Sequence, residues 1–159
     1  MAFGVRLHFR HNSLAVDVET QTFSILVVDD DPSIRKMVIA ALRREATAYT
    51  FAEAANGREA LDAMRDQNPD VVVLDLMMPI VSGWDVLRER ADDDELRKIP
   101  VIVVSANRDP EVATAVQSGI CAFLPKPFDI GALSALVRSC ITPTGAPVPE
   151  HPAPQSLPC

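Results

Sequence analysis

The chain has 159 residues, 48% of them hydrophobic and 23% charged, with a net charge of −7. That is enough for about one globular domain with a real core, and the acidic balance, with one Trp and one Tyr, argues against nucleic acid as a partner. No apolar run approaches the roughly 18 residues of a membrane span, so no membrane association is expected.

Residues 1–22 show no sustained hydrophobic period and read as a weakly structured leader. Arg6 and Arg10 lie among apolar residues, but the continuous apolar segment and small-residue cleavage site of a signal peptide are missing. His8 and His11 fall in this leader and read as solvated residues, with metal binding as the rival reading.

The first buried strand is FSILVV, residues 23–28, which stops at three acids, Asp29, Asp30 and Asp31. Pro32 suits the first position of a helix, where its missing N–H would be unpaired anyway. Ile34, Met37, Val38, Ala41 and Leu42 then recur with helical spacing and are expected to face inward. Residues 49–54 form a weaker strand, expected at the sheet edge. Asn56-Gly57 makes a turn, and residues 58–66 carry a short helix with Leu61 and Met64 inward. The run at 71–74 is short, branched and apolar, the mark of a strand buried on both faces, and it ends at Asp75. A helix is expected at 83–91, with Trp84 and Leu87 toward the core, and the acidic residues 92–95 read as a solvated loop.

VIVV at 101–104 is a further strand ending at Ser105. Asp109-Pro110 opens a helix of small residues through 112–117, stopped by Gly119. The last strand, 120–124, ends at Pro125-Lys126-Pro127-Phe128. Asp129 is placed to cap a final helix with Ile130, Leu133, Leu136, Val137 and Cys140 inward. Six of the residues from 143 to 159 are proline, so this tail is expected to be flexible and extended. Cys121, Cys140 and Cys159 follow no metal-ligand spacing. Their odd number fits a reducing, cytoplasmic setting better than a disulfide framework.

Strands and helices thus alternate in an α/β domain with right-handed crossovers and helices on both faces of one parallel sheet. Ligands of such sheets bind beyond the carboxyl ends of the strands, where Asp29, Asp30, Asp75, Ser105 and Lys126 are expected to meet. Three converging carboxylates repel one another, and a hard divalent cation such as Mg²⁺ relieves that repulsion. A carboxylate can be the nucleophile in phosphoryl transfer, and Asp75, on the central strand, is the candidate. Bland readings stand beside these. The acids at 29–31 could be a helix-start cluster favoured by the helix dipole, Lys126 a surface lysine, and Phe123 a core aromatic.

Four motifs then occur in order with suitable gaps: VVDDDP at 27–32, VLDLMMP at 73–79, VVSA at 103–106 and LPKPF at 124–128. Together they resemble the receiver domain of bacterial response regulators, over residues 23–141. The resemblance implies a flavodoxin-like, doubly wound parallel sheet of order 2-1-3-4-5. It implies a receiver domain at 23–142 between the leader at 1–22 and the tail at 143–159. It also implies roles. Asp75 would accept a phosphoryl group from a histidine kinase or a histidine phosphotransfer protein. Asp30 would hold Mg²⁺ directly, Asp29 partly through water, and the carbonyl of Met77 would be a further ligand. Ser105 and Lys126 would bind the phosphoryl group, Lys126-Pro127 would be cis, and Phe123 would be a switch aromatic coupled to Ser105. Ser105 stands where threonine is also common, which loosens that coupling. Met77 and Asn107 occupy positions that tune phosphoryl lifetime.

The expectation is a single-domain phosphorylation switch, not an enzyme beyond its own phosphorylation and dephosphorylation, because the tail is too short for an output domain. Output to a downstream effector protein would run through segment 112–117, the last strand and the last helix. Two rivals remain. One is a Mg²⁺-dependent phosphatase with an aspartyl nucleophile, which usually has a second acid where this chain has Met77. The other is a receiver-like interaction module that is never phosphorylated.

Overall fold

A computed structural model describes residues 21–45, 48–106 and 119–141. Five strands form one parallel sheet: β1 (Phe23–Val28), β2 (Tyr49–Ala54), β3 (Val71–Asp75), β4 (Val101–Ser105) and β5 (Ala122–Pro125), in spatial order β2-β1-β3-β4-β5. The described helices are α1 (Pro32–Glu45), α2 (Gly57–Gln67), α3 (Gly83–Asp92) and α4 (Ile130–Ile141), with a single 3-10 turn at Leu96–Lys98. The helix expected at 112–117, with Asn107, lies outside the described residues, as do His8, His11 and the tail.

Side chains alternate across a strand, and that alternation builds two cores. Leu26, Val28, Val72, Leu74, Val101 and Val103 pack against α2 and α3 on one face. Ile25, Val27, Val71, Val73, Ile102 and Val104 pack against α1 and α4 on the other. Every residue of β3 and β4 is buried, so these central strands read as continuous apolar runs. The order of the sheet and the helices on both faces are as expected.

Several local features differ from the sequence reading. On α1 the buried residues are Val38, Ile39 and Leu42, while Met37 is exposed. The helix is rolled so that Ile39 takes the place expected for Met37. Asn56 does not simply turn the chain. It caps α2, its side-chain oxygen accepting from the Glu59 N–H, and Glu59 accepts in return from the Ala55 N–H. The acidic stretch after α3 is more than a solvated loop. Asp93 accepts from the N–H groups of Glu95 and Leu96, and Leu96 is buried. Arg90 is buried as well, its guanidinium donating to the carbonyls of Arg97, Ile99 and Gly119. Asp129 accepts from the Ala132 N–H at the start of α4, as expected.

The cysteines require a correction. Cys121 and Cys140 are joined by a disulfide, their Cα atoms 6.2 Å apart. The physical reason is the antiparallel return of α4 along β5. The end of the helix comes back beside the start of the strand, and spacing along the chain does not show that packing.

Candidate functional site

The parallel register sets the site. Val28 of β1 pairs with Leu74 of β3, so Asp29 and Asp75 emerge side by side at neighbouring strand ends. Among the described residues, Asp29, Asp30 and Asp75 offer carboxylate oxygens that all lie within 4.8 Å of one another. Asp29 and Asp75 are buried and Asp30 is exposed. On the next strand Ser105 is fully buried at the end of β4, and its carbonyl accepts from the Lys126 N–H at 2.8 Å. That bond anchors the chain just past β5 and aims Lys126 back at the acids. Its Nζ lies 2.8 Å from Asp29 Oδ2 and 3.0 Å from Asp75 Oδ2. The Lys126-Pro127 peptide is cis.

The second oxygen of Asp75 accepts from the Met77 N–H at 3.1 Å, and Met77 is 59% exposed. Asp29 Oδ1 accepts from the Asp31 N–H at 2.9 Å. Behind the carboxylates the wall is apolar, made by Val27, Val38, Val73, Val104 and Phe128. Burial therefore pushes the Asp75 carboxyl above its ordinary range, and the nearby Asp29 charge adds to this. The Met77 N–H and Lys126 only partly offset it. Burial pulls the Lys126 ammonium down, but its hydrogen bonds to Asp29 and Asp75 and their charges outweigh that, so its pKa is raised.

Asp29, Asp30, Asp75, Lys126 and the main chain at Met77 thus come together, with Ser105 at the adjoining strand end. Phe123 stands apart. It is level with Val103 of β4 and packs, half-buried, against the α2–α3 core. Among the described residues, three formal negative charges face the positive charge of Lys126, in an all-oxygen donor set open to solvent at Asp30. A hard divalent cation fits that arrangement.

Two supporting residues had no sign in the sequence. Arg35, on the second turn of α1, donates to the Asp29 carbonyl at 2.7 Å and to Glu53 at 2.8 Å. Gly83 opens α3 directly against the main chain of Asp75 and Leu76. The partners lie on other elements. Glu53 is paired with Val27 across the β1–β2 register, and Gly83 donates its N–H to the Leu76 carbonyl.

The sequence profile of the response regulator receiver domain matches residues 25–138. The DNA-binding response regulator MtrA of Mycolicibacterium smegmatis is 39% identical over 124 residues, covering 77% of this chain and 52% of the relative. A protein-glutamate methylesterase/protein-glutamine glutaminase of Nitrosospira multiformis is 36% identical over 112 residues, covering 68% of this chain and 31% of the relative. The chain spans about half the length, or less, of these curated relatives. Among solved structures, the chemotaxis response regulator CheY4 of Vibrio cholerae superposes with a TM-score of 0.67 at 27% identity, covering 76% of this chain and 99% of that one. The receiver domain of Francisella response regulator 1452 does so with a TM-score of 0.69 at 30% identity, covering 76% and 97%. A parallel sheet of this order, carrying an acidic cluster and an opposed lysine at its carboxyl edge, and these matches have one reading: the chain belongs to the response regulator receiver domain family.

Proposed function

We propose that this chain is the phosphoacceptor of a two-component system, taking a phosphoryl group onto Asp75 from a phosphohistidine of a histidine kinase or histidine phosphotransfer protein. The observation that carries the reading is the convergence of Asp29, Asp30 and Asp75 with Lys126 Nζ at one sheet edge. A carboxylate oxygen of Asp75 attacks phosphorus as the bond to the donor imidazole nitrogen breaks, leaving an acyl phosphate on Asp75. Desolvation makes this carboxylate more basic than an ordinary one, which suits it to be the nucleophile. Asp29, Asp30, Asp75 and the Met77 carbonyl would hold Mg²⁺. When bound, the cation offsets the negative charge that otherwise repels the incoming phosphoryl oxygens. Lys126 exchanges its contact with Asp75 for one with the phosphoryl group, and the Ser105 hydroxyl donates to it from the neighbouring strand end. Phe123 then follows Ser105 and reshapes the face made by β5 and α4.

The finer reading is a single-domain regulator whose output is contact with a downstream effector protein. It is supported by the match along nearly the whole of the chemotaxis regulator and by the net charge of −7, which favours a protein over a nucleic acid as partner. Among the described residues no helix is long and apolar enough to cross a membrane.

The test is to incubate the full chain with acetyl phosphate and Mg²⁺ and weigh it intact. A phosphoryl adduct on the wild type that is lost in Asp75→Asn is expected. An adduct that persists in Asp75→Asn overturns the assignment. Steady release of phosphate from small phosphoesters would instead support the phosphatase reading.

A further inference from the structure

We propose that Cys121 and Cys140 are a reversible thiol–disulfide pair, and that the bond sets how freely β5 and α4 answer phosphorylation. The second half rests on the phosphoacceptor reading above.

Cys121 immediately precedes β5, and Cys140 lies in the last turn of α4. The bond therefore closes a loop around the whole β5–α4 unit, and Lys126 and Phe123 sit inside that loop. This unit includes one of the two edges of the sheet. Among the described strands β5, like β2, is an edge strand, paired with β4 alone, and all four of its residues are half-buried, whereas every residue of β4 is buried. At the end of α4, Leu136, Cys140 and Ile141 are only partly buried. A cross-link between the two elements at this end restrains their movement where both are only partly buried.

Its position also suits exchange. Cys121 is exposed and Cys140 is half-buried. The thiolate of a low-molecular-weight thiol such as glutathione attacks the Cys121 sulfur, and the Cys140 thiolate leaves. A second glutathione thiolate attacks the mixed disulfide, forming glutathione disulfide and releasing the Cys121 thiolate. Two protons taken up from solvent complete two protein thiols. Two electrons pass from glutathione to the protein, and the reverse sequence restores the bond. The Cys121 N–H donates to the Val101 carbonyl at 2.8 Å, a main-chain bond that does not depend on the disulfide.

The experiment uses the full chain carrying Cys159→Ser, so that thiol counts report this pair alone. The protein is equilibrated in glutathione buffers of graded reduced-to-oxidised ratio, trapped by alkylation and weighed. Amide exchange over β5 and α4, and phosphoryl uptake from acetyl phosphate with Mg²⁺, are measured on both forms. Expected are two alkylated thiols that appear and disappear reversibly, faster amide exchange in α4 on reduction, and uptake or adduct lifetime that changes by about fivefold or more, the lower range of coupling between sites. Cys121→Ser and Cys140→Ser should hold the reduced values in any buffer. A bond that glutathione never opens, or two forms with equal exchange and equal phosphorylation, overturns the proposal. If neither form takes up phosphate, the phosphoacceptor reading fails, and the alkylation and exchange results then decide the redox pair by themselves.

Discussion

Gly83 stands directly against Asp75: a Cβ at this glycine would overlap the Asp75 carbonyl oxygen and lie 2.6 Å from the Leu76 Cα. Both neighbours are main chain, and neither can rotate away. The start of α3 is thus fitted onto the end of the strand that carries the proposed nucleophile. Gly83→Ala must lift α3 or tilt Asp75. Overpacking of this kind costs about 1–3 kcal/mol, occasionally more, and misplacing a reacting group by about 1 Å can cost roughly a hundredfold in rate. Thermal melting and the initial rate of phosphoryl uptake measure the two effects. An alanine variant that melts and reacts like the wild type would remove Gly83 from the site's support.

Arg35 fixes the other side of the acidic cluster. Its guanidinium bridges the Asp29 carbonyl and Glu53, and its side chain is 14% exposed against 44% for Glu53. The carbonyl contact is therefore the sheltered one. Arg35→Ala is expected to weaken Mg²⁺ binding by about tenfold or more, as loss of a group supporting metal ligands typically does. Glu53→Gln should have little effect, since an ion pair this exposed is worth about 1 kcal/mol or less. Lysine cannot fork to both acceptors, so Arg35→Lys should not restore the affinity. Calorimetric Mg²⁺ titration of the three variants checks the order.

The loop after Pro79 carries backbone strain. Ile80 has φ 72 and is 89% exposed, and the Val81 N–H donates to the Pro79 carbonyl across it in a tight three-residue turn. A β-branched residue at positive φ is an outlier, costing about 1–3 kcal/mol, and the exposed side chain recovers little by burial. Ile80→Gly should therefore raise the melting temperature, by about 2–8 °C per kcal/mol of relief in a domain of this size. Ile80→Val keeps the strain and should leave melting unchanged. A glycine variant that melts lower would show that the turn is not strained.

These residues mark the limit of what the sequence makes legible. The apolar runs ending at Asp29, Asp75 and Ser105 announce buried parallel strands, because few other elements bury every position and then stop on a polar residue. Their polar ends announce a shared edge. The facing of α1 was not legible. Met37 and Ile39 flank the stripe of Ile34, Val38 and Leu42 on opposite sides of a helical wheel, and only the position of the sheet decides that Ile39 is covered. The roles of Arg35, Gly83 and the Cys121–Cys140 bond were likewise hidden. Each depends on how separate elements pack against one another, and none leaves a periodic trace.

Asp75 carries the clearest pH dependence. Burial raises its folded-state pKa above the unfolded value, which is about 3.9. The sign follows: the contribution to stability is fully present below the unfolded pKa and is lost as pH rises through the folded one. At neutral pH without a cation, the ionised Asp75 is a cost. Asp75→Asn keeps the side-chain shape, keeps an oxygen that can accept from the Met77 N–H, and leaves Lys126 bound to Asp29 at 2.8 Å. In EDTA at neutral pH this variant should melt higher than the wild type, and the difference should close as pH falls below about 3.9, where Asp75 is protonated in both states. Saturating Mg²⁺ should reverse the order. Binding to the folded state alone adds about 2.7 kcal/mol at a hundredfold excess over Kd, and the variant has lost one of the three carboxylates. Melting curves across this pH range, with EDTA and with Mg²⁺, test both halves. If Asp75→Asn melts lower than the wild type in EDTA at neutral pH, Lys126 and the Met77 N–H already repay the buried charge, and the acidic cluster does not need a cation to be stable.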